Sequence, residues 1–219
     1  MEAQIKEEPT FTSSIVSYPE RCTLWGDGRY RGNCDGRLFL NLVRRYRAKR
    51  VADPMVGSGT TRDVIAWLNR NHETAIDFWG GDLKHGFNLL KQDLPGVFDF
   101  IWIHPPYWDI VRYSDHPDDL STCRMYGLFI DKLRECLRRC VAALIPGGRI
   151  AVLIGDVRRD GVYVPIGREV MFLASELGQL RSVIIKAQHN CRSDYTRYGR
   201  MEDVLIKHEY CVIFKKPAG

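Results

Sequence analysis

Apolar residues fall along this chain in two alternating rhythms, short unbroken runs and stripes of helical period. Residues 37–47 (RLFLNLVRRYR) set Leu38, Leu42 and Val43 against an arginine face, which predicts an amphipathic helix. Arg50–Pro54 reads as a short apolar strand, followed by a glycine turn and a helix over 60–71 (TTRDVIAWLNRN). Residues 74–82 (TAIDFWGGD) predict a second strand and 87–90 (FNLL) a short third. Residues 98–104 (FDFIWIH) form a strand of the buried type that ends in Pro-Pro. A helix over 122–144, carrying Leu128, Leu133, Leu137 and Leu144, stops at Pro-Gly-Gly. Then come a strand at 149–156 (RIAVLIGD), a helix at 166–177, and strands at 182–188 (SVIIKAQ) and 209–216 (EYCVIFKK). Strands alternating with helices predict an α/β fold, with a mostly parallel sheet covered on both faces. The last two strands, joined by a polar loop, are expected to pair antiparallel at the sheet's end. Residues 1–17 read as a flexible tail and 18–219 as one domain.

Composition narrows the class. A chain of 219 residues fits one α/β domain, and 45% hydrophobic with 27% charged residues excludes wholesale disorder. No apolar run approaches the roughly 20 residues of a membrane span, and MEAQIKEEPTFTSS lacks an apolar signal core, which predicts a cytoplasmic protein. The seven cysteines include no CxxC pair, so they are expected to be reduced thiols rather than disulfides or metal ligands. Cys136 and Cys140, four apart, share a helix face and suit packing. A net charge of +5 permits nucleic-acid binding without selecting it.

Chemistry enters at the strand ends, where open α/β sheets bind ligands. In VADPMVGSGTT (51–61), Gly57 and Gly59 allow close approach of the backbone to a ligand, and Thr60 and Thr61 can cap the next helix. The turn lacks the GKS/T ending of a phosphate loop. Asp53 at the strand tip would repel a phosphate but suits an ammonium, such as that of the methionine part of S-adenosylmethionine. Asp82, closing the second strand, can accept hydrogen bonds from ribose hydroxyls. In IWIHPPYWD (101–109), Pro105 and Pro106 stiffen the strand exit and leave the carbonyls of His104 and Pro105 as outward acceptors. Tyr107 offers an aromatic face for a base swung out of its stack. Such acceptors would draw an exocyclic amine toward a tetrahedral form and free its lone pair.

DPMVGSGTT (53–61) and HPPYW (104–108) together resemble the paired motifs of the DNA amino-methyltransferases that modify adenine N6 or cytosine N4. SYPERCTLWGDGRYRGNCDGRLFLNLV (17–43), IAVLIGDVRRDGVYVP (150–165) and HEYCVIFKKP (208–217) extend the resemblance over most of the chain. It implies a Rossmann-like S-adenosylmethionine-dependent methyltransferase fold, a mostly parallel seven-stranded sheet with an antiparallel terminal strand. It also implies S-adenosylmethionine as cofactor and DNA as partner, with restriction–modification among the settings served. By resemblance Asp53, Pro54, Gly57, Gly59, Thr60 and Thr61 line the cofactor's methionine end, Asp82 takes the ribose, and His104, Pro105, Pro106 and Tyr107 hold the target amine. The chain departs from the family at His104, where Asp, Asn or Ser is usual, and it is expected to lack a separate target-recognition domain. A neutral imidazole can stand in as acceptor, which predicts a rate that falls as pH drops through the histidine range.

DNA contacts are expected from two loops. Trp108, which closes the second motif, and Arg112 and Tyr113 after it belong to one; Arg192, Tyr195, Arg197, Tyr198 and Arg200 interleave cation and ring in the other. With little surface for base readout, the resemblance predicts a short target or a homodimer that supplies a second DNA wall. No metal and no membrane partner are expected. Two alternatives remain open: an RNA or protein-amide methyltransferase of the same fold, and a non-catalytic nucleic-acid-binding relative.

Overall fold

The computed structural model describes residues 11–71, 75–189 and 202–219. Its centre is a seven-stranded sheet built from β1 (Ile15–Val16), β2 (Arg50–Asp53), β3 (Asp77–Gly80), β4 (Phe98–Ile103), β5 (Leu144–Ile154), β8 (Gln179–Ala187) and β9 (His208–Lys215), in the order β1-β8-β9-β5-β4-β2-β3. Strand β9 runs antiparallel to both its neighbours, and the other pairings are parallel. The expected α/β class and mostly parallel sheet are therefore present. The antiparallel strand is not at the edge, however: β9 lies between β5 and β8.

The helices are α1 (Gly36–Tyr46), α2 (Thr60–Arg70), α3 (Tyr126–Ala142), α4 (Ile166–Phe172) and α5 (Ala174–Leu177). Unbroken apolar runs in the central strands follow from burial on both faces. Along β4, Phe100 and Trp102 point into one core with Leu38, Leu42 and Trp67 of α1 and α2. Ile101 and Ile103 point into the other with Phe129, Leu133 and Leu137 of α3. Cys136 and Cys140 pack in that second core, and the six described cysteines are all buried thiols; Cys191 lies outside the described residues.

Several boundaries differ from the sequence expectation, each for a local reason. FNLL (87–90) forms no strand: the Leu90 amide donates to Asn88 Oδ1 at 3.1 Å, closing a turn, while Phe87 packs edge-on against Trp79. The seventh strand comes instead from β1 at the opposite edge, where Ile15 pairs with Ile185 and Val16 with Lys186, so these residues are not a loose tail. Leu144 does not end a helix. Helix α3 stops at Ala142, where Lys216 Nζ donates to the carbonyls of Val141, Ala142 and Leu144, a cation at the negative helix end. Leu144 begins β5, and the Pro-Gly-Gly that follows is absorbed as a register shift against β4. The helix expected over 166–177 breaks at Leu173 into α4 and α5. A hairpin of β6 (Val157–Arg159) and β7 (Val162–Val164) turns on Asp160 and Gly161, both at positive φ, the geometry an Asp-Gly pair favours.

Candidate active site

The carboxyl ends of β2, β3, β4, β5 and β8 open on one cavity of about 1160 Å³, above the roughly 300–1,000 Å³ of an ordinary small-molecule pocket. Asp53, Pro54, Gly57, Thr60, Thr61 and Asp82 line it where β2 and β3 end, and His104, Pro105, Pro106 and Tyr107 where β4 ends, with Tyr113 from the loop beyond. Both motifs thus face one space, which is the arrangement their places on neighbouring parallel strands imply.

The glycine turn is held from below. Gly57 and Gly59 have φ of 51° and 87°, a region costly for residues with a Cβ. Asp53 is buried, its Oδ1 accepting from the Met55 amide (3.0 Å) and its Oδ2 from the Thr61 hydroxyl (2.7 Å). Burial pushes its carboxyl up to about 7, with the charge of Asp82 adding to the rise and the bonds from Thr61 and Met55 opposing it. Asp82 Oδ2 accepts from the Gly57 amide (3.0 Å) and Oδ1 from the Lys84 amide (2.9 Å), tying the turn to the end of β3. The threonines do not cap α2 as expected. Gly59 is the N-cap and has no side chain to offer, while Thr61 is committed to Asp53 and Thr60 to Asn33 Oδ1. Gly59 itself is not part of the cavity lining.

Sequence reasoning missed the loop at 26–34. It is tied to α2 by the Gly26 amide on Asp63 Oδ2 (3.0 Å) and places Tyr30 beside Gly57. The Tyr30 ring stacks on Tyr113 with centroids 5.9 Å apart, and Lys84 Nζ sits 4.8 Å from the Tyr30 centroid. Two loops thereby meet over the cavity.

Beyond the end of β4, Tyr107 is pinned. Its hydroxyl donates to Glu209 Oε1 (2.7 Å) and lies 2.9 Å from His104 Nε2, and its ring fills the space where a Cβ on Gly155 would stand. Lys186 Nζ donates to Glu209 Oε2 at 2.6 Å, and both Lys186 and Glu209 are buried. Burial lowers the His104 pKa to about 4, with Glu209 opposing and Lys186 reinforcing the fall, so the imidazole is neutral at physiological pH. This moves the expected acid limb well below the ordinary histidine range. Burial drives the Tyr107 phenol well above its usual value, with the Glu209 carboxylate adding to the rise.

The loop residues assigned to nucleic acid divide. Tyr113 lines the cavity. Trp108 is turned away from it: its indole donates to the Cys123 carbonyl (2.8 Å) and its ring packs on Tyr126. Arg112 is exposed and paired with Asp115 at 2.8 Å. Arg192, Tyr195, Arg197, Tyr198 and Arg200 lie outside the described residues. Among the described residues there is no group of three His, Cys, Asp or Glu that could hold a metal, and no helix long and apolar enough to cross a membrane.

No protein-family model matches the chain, and no curated protein matches it. Solved structures do. A Listeria monocytogenes protein assigned as a class I S-adenosylmethionine-dependent methyltransferase is 14% identical over 83% of this chain and 59% of its own, with a TM-score of 0.52. The [4+2]-cyclase SpnF is 13% identical over 91% of this chain and 89% of its own, at 0.50. TTHA0409 of Thermus thermophilus, assigned as a DNA modification methylase, is 21% identical over 78% of this chain and 54% of its own, at 0.42. The chain spans about half the length of the TTHA0409 structures it matches. The fold is that of the class I S-adenosylmethionine-dependent methyltransferases. The cyclase on the same fold shows why the reaction has to be argued from the site.

Proposed function

We propose that this chain is an S-adenosylmethionine-dependent methyltransferase that acts on the exocyclic amine of adenine (N6) or cytosine (N4) in DNA. One observation carries the reading. The acid-flanked glycine turn and the His-Pro-Pro-Tyr strand exit open on a single cavity large enough for two occupants. S-adenosylmethionine, when bound, supplies an electrophilic methyl group on a cationic sulfur. Asp82 keeps lone pairs for ribose hydroxyls after accepting from Gly57 and Lys84. Asp53 faces the ammonium end, and Gly57 admits the ligand close to the backbone. Neutral His104 and the Pro105 carbonyl accept from the amine's N–H groups, and Tyr107 offers its ring to the base. Arg29 and Arg31 line the cavity beside Tyr30, where cations suit a phosphate backbone. The direct test is transfer of a labelled methyl group to DNA.

Two results are expected for the cofactor. Calorimetric titration of Asp82→Ala should show affinity reduced by about 1.5–3 kcal/mol, the worth of a charge-assisted hydrogen bond. Unchanged affinity would remove Asp82 from the ribose role. Binding should also release a proton. Free Asp53 is partly protonated near neutrality, and a cation beside it favours the carboxylate. Titrations at about pH 6 in buffers of different ionisation enthalpy should show close to one proton released, falling toward zero by about pH 7.5, above which the cofactor's own amino group takes up a proton on binding as an ammonium. Proton release that is the same at both pH values would show that Asp53 does not meet the ammonium.

A further inference from the structure

Among the buried charged groups that the sequence motifs leave without a task are Lys186 and Glu209. They stand directly opposite each other on β8 and β9, and the Glu209 carboxylate is shared between Lys186 Nζ and the Tyr107 hydroxyl. We infer that Lys186 and Glu209 are positioning residues that fix His104 as its Nε2–H tautomer and so present the Nδ1 lone pair to the amine being methylated. The inference rests on the proposed role of His104 as an acceptor.

A carboxylate that holds a lysine ammonium can only accept. The single hydroxyl proton of Tyr107 therefore goes to Glu209 Oε1, at 2.7 Å. What the Tyr107 oxygen turns toward His104 Nε2, 2.9 Å away, is a lone pair. Nε2 must then carry the proton, and a neutral imidazole protonated there has a bare Nδ1. No described protein group bonds to that nitrogen, which belongs to a residue lining the cavity.

Burying an ion pair brings little stability over an apolar pair of the same volume. Placing one beneath the acceptor brings something else, because a paired carboxylate can direct the phenol proton while its charge is cancelled. The titratable and charged groups acting on His104, Tyr107 and Lys186 among the described residues are Glu209 from β9, Lys186 itself from β8, Cys34 and, on Lys186, Asp35 from the segment leading into α1, and Tyr113 from the loop after β4. Of these, only Lys186 and Glu209 carry opposite charges that meet at the His104–Tyr107 pair. Without Lys186, the uncompensated Glu209 carboxylate would attract a proton to the imidazole through Tyr107. An imidazolium has no acceptor to offer.

The test has a spectroscopic arm and a kinetic arm. In the intact protein labelled with 15N-histidine, the His104 signal, assigned by its loss in His104→Asn, should report proton on Nε2 and none on Nδ1 from about pH 8 down to about pH 5. A proton on Nδ1 would overturn the inference, and this measurement needs neither substrate nor a charge-pair variant. In Lys186→Met, protonation of His104 should move up by about one pH unit or more, and the acid limb of single-turnover methyl transfer should move with it, so that at about pH 5 the variant has lost about half of its pH 8 rate or more while wild type has lost about a tenth. Lys186→Met/Glu209→Gln removes both charges and should return the His104 titration to its wild-type position. A titration unmoved in Lys186→Met, or moved equally in the double variant, would reduce the pair to packing. If no nucleic-acid base is methylated, the tautomer and its response to Lys186 still decide this point separately from the reaction.

Discussion

Replacing Lys186 with methionine is expected to cost about 3–5 kcal/mol of stability, because it strands the buried Glu209 carboxylate without its counter-ion. For a domain of this size that corresponds to a melting temperature lower by roughly 6–20 °C. The sign of the pH dependence follows from the pair. Burial alone would raise the Glu209 carboxyl, but Lys186, His104 and the bond from Tyr107 hold it below the ordinary carboxylate range. In the wild type this stabilisation is full above that range and is lost as pH falls through the depressed value. In the variant the stranded carboxyl is raised instead, so its cost grows as pH rises. The gap in melting temperature should be widest near pH ~8 and narrow toward pH ~4. Lys186→Met/Glu209→Gln should recover much of the loss; thermal melts of the four proteins of that cycle, giving additive losses, would show that the pair is not coupled.

The second large effect concerns the reaction. His104→Ala should slow single-turnover methyl transfer by about 100-fold or more, the usual worth of a positioned acceptor at a reacting nitrogen. His104→Asn should keep part of the rate, since its amide oxygen also accepts. Tyr107→Phe should not behave as wild type: it removes the hydroxyl that satisfies Glu209 and orients His104, and about a tenfold loss is expected, a little over 1 kcal/mol. Tyr107→Ala should lose more, because ring stacking goes as well. Equal rates for Tyr107→Phe and wild type would assign the whole contribution to the ring.

Tyr107 shows where the sequence could be read and where it could not. Asp53, Asp82 and the His104–Tyr107 run were legible because each sits at the end of an apolar run, and parallel strands bring such ends together. From sequence, Tyr107 shows only a ring. Its hydroxyl acquires a partner 102 residues away, and no local pattern reports that pairing. A faint signal existed, one charge in each of two otherwise apolar strands, SVIIKAQ and HEYCVIF, at positions that face each other in register. Charges in central strands are costly unless paired, so two of them ask for each other. The Asp-Gly at 160–161 was a plain hairpin signal, whereas FNLL had the composition of a strand but was claimed by Asn88 for a turn. Strand β1 could not have been foreseen, since two residues are too few to show a period.

The central claim is the chemistry at the amine. The protein should be incubated with S-adenosylmethionine carrying an isotopically labelled methyl group and with unmodified DNA, RNA and protein in parallel, and each polymer then digested for mass spectrometry. The account predicts label in N6-methyladenine or N4-methylcytosine from the DNA, and its loss in His104→Ala. Label confined to RNA nucleosides or to protein amides, or absent everywhere although the cofactor binds, would contradict it.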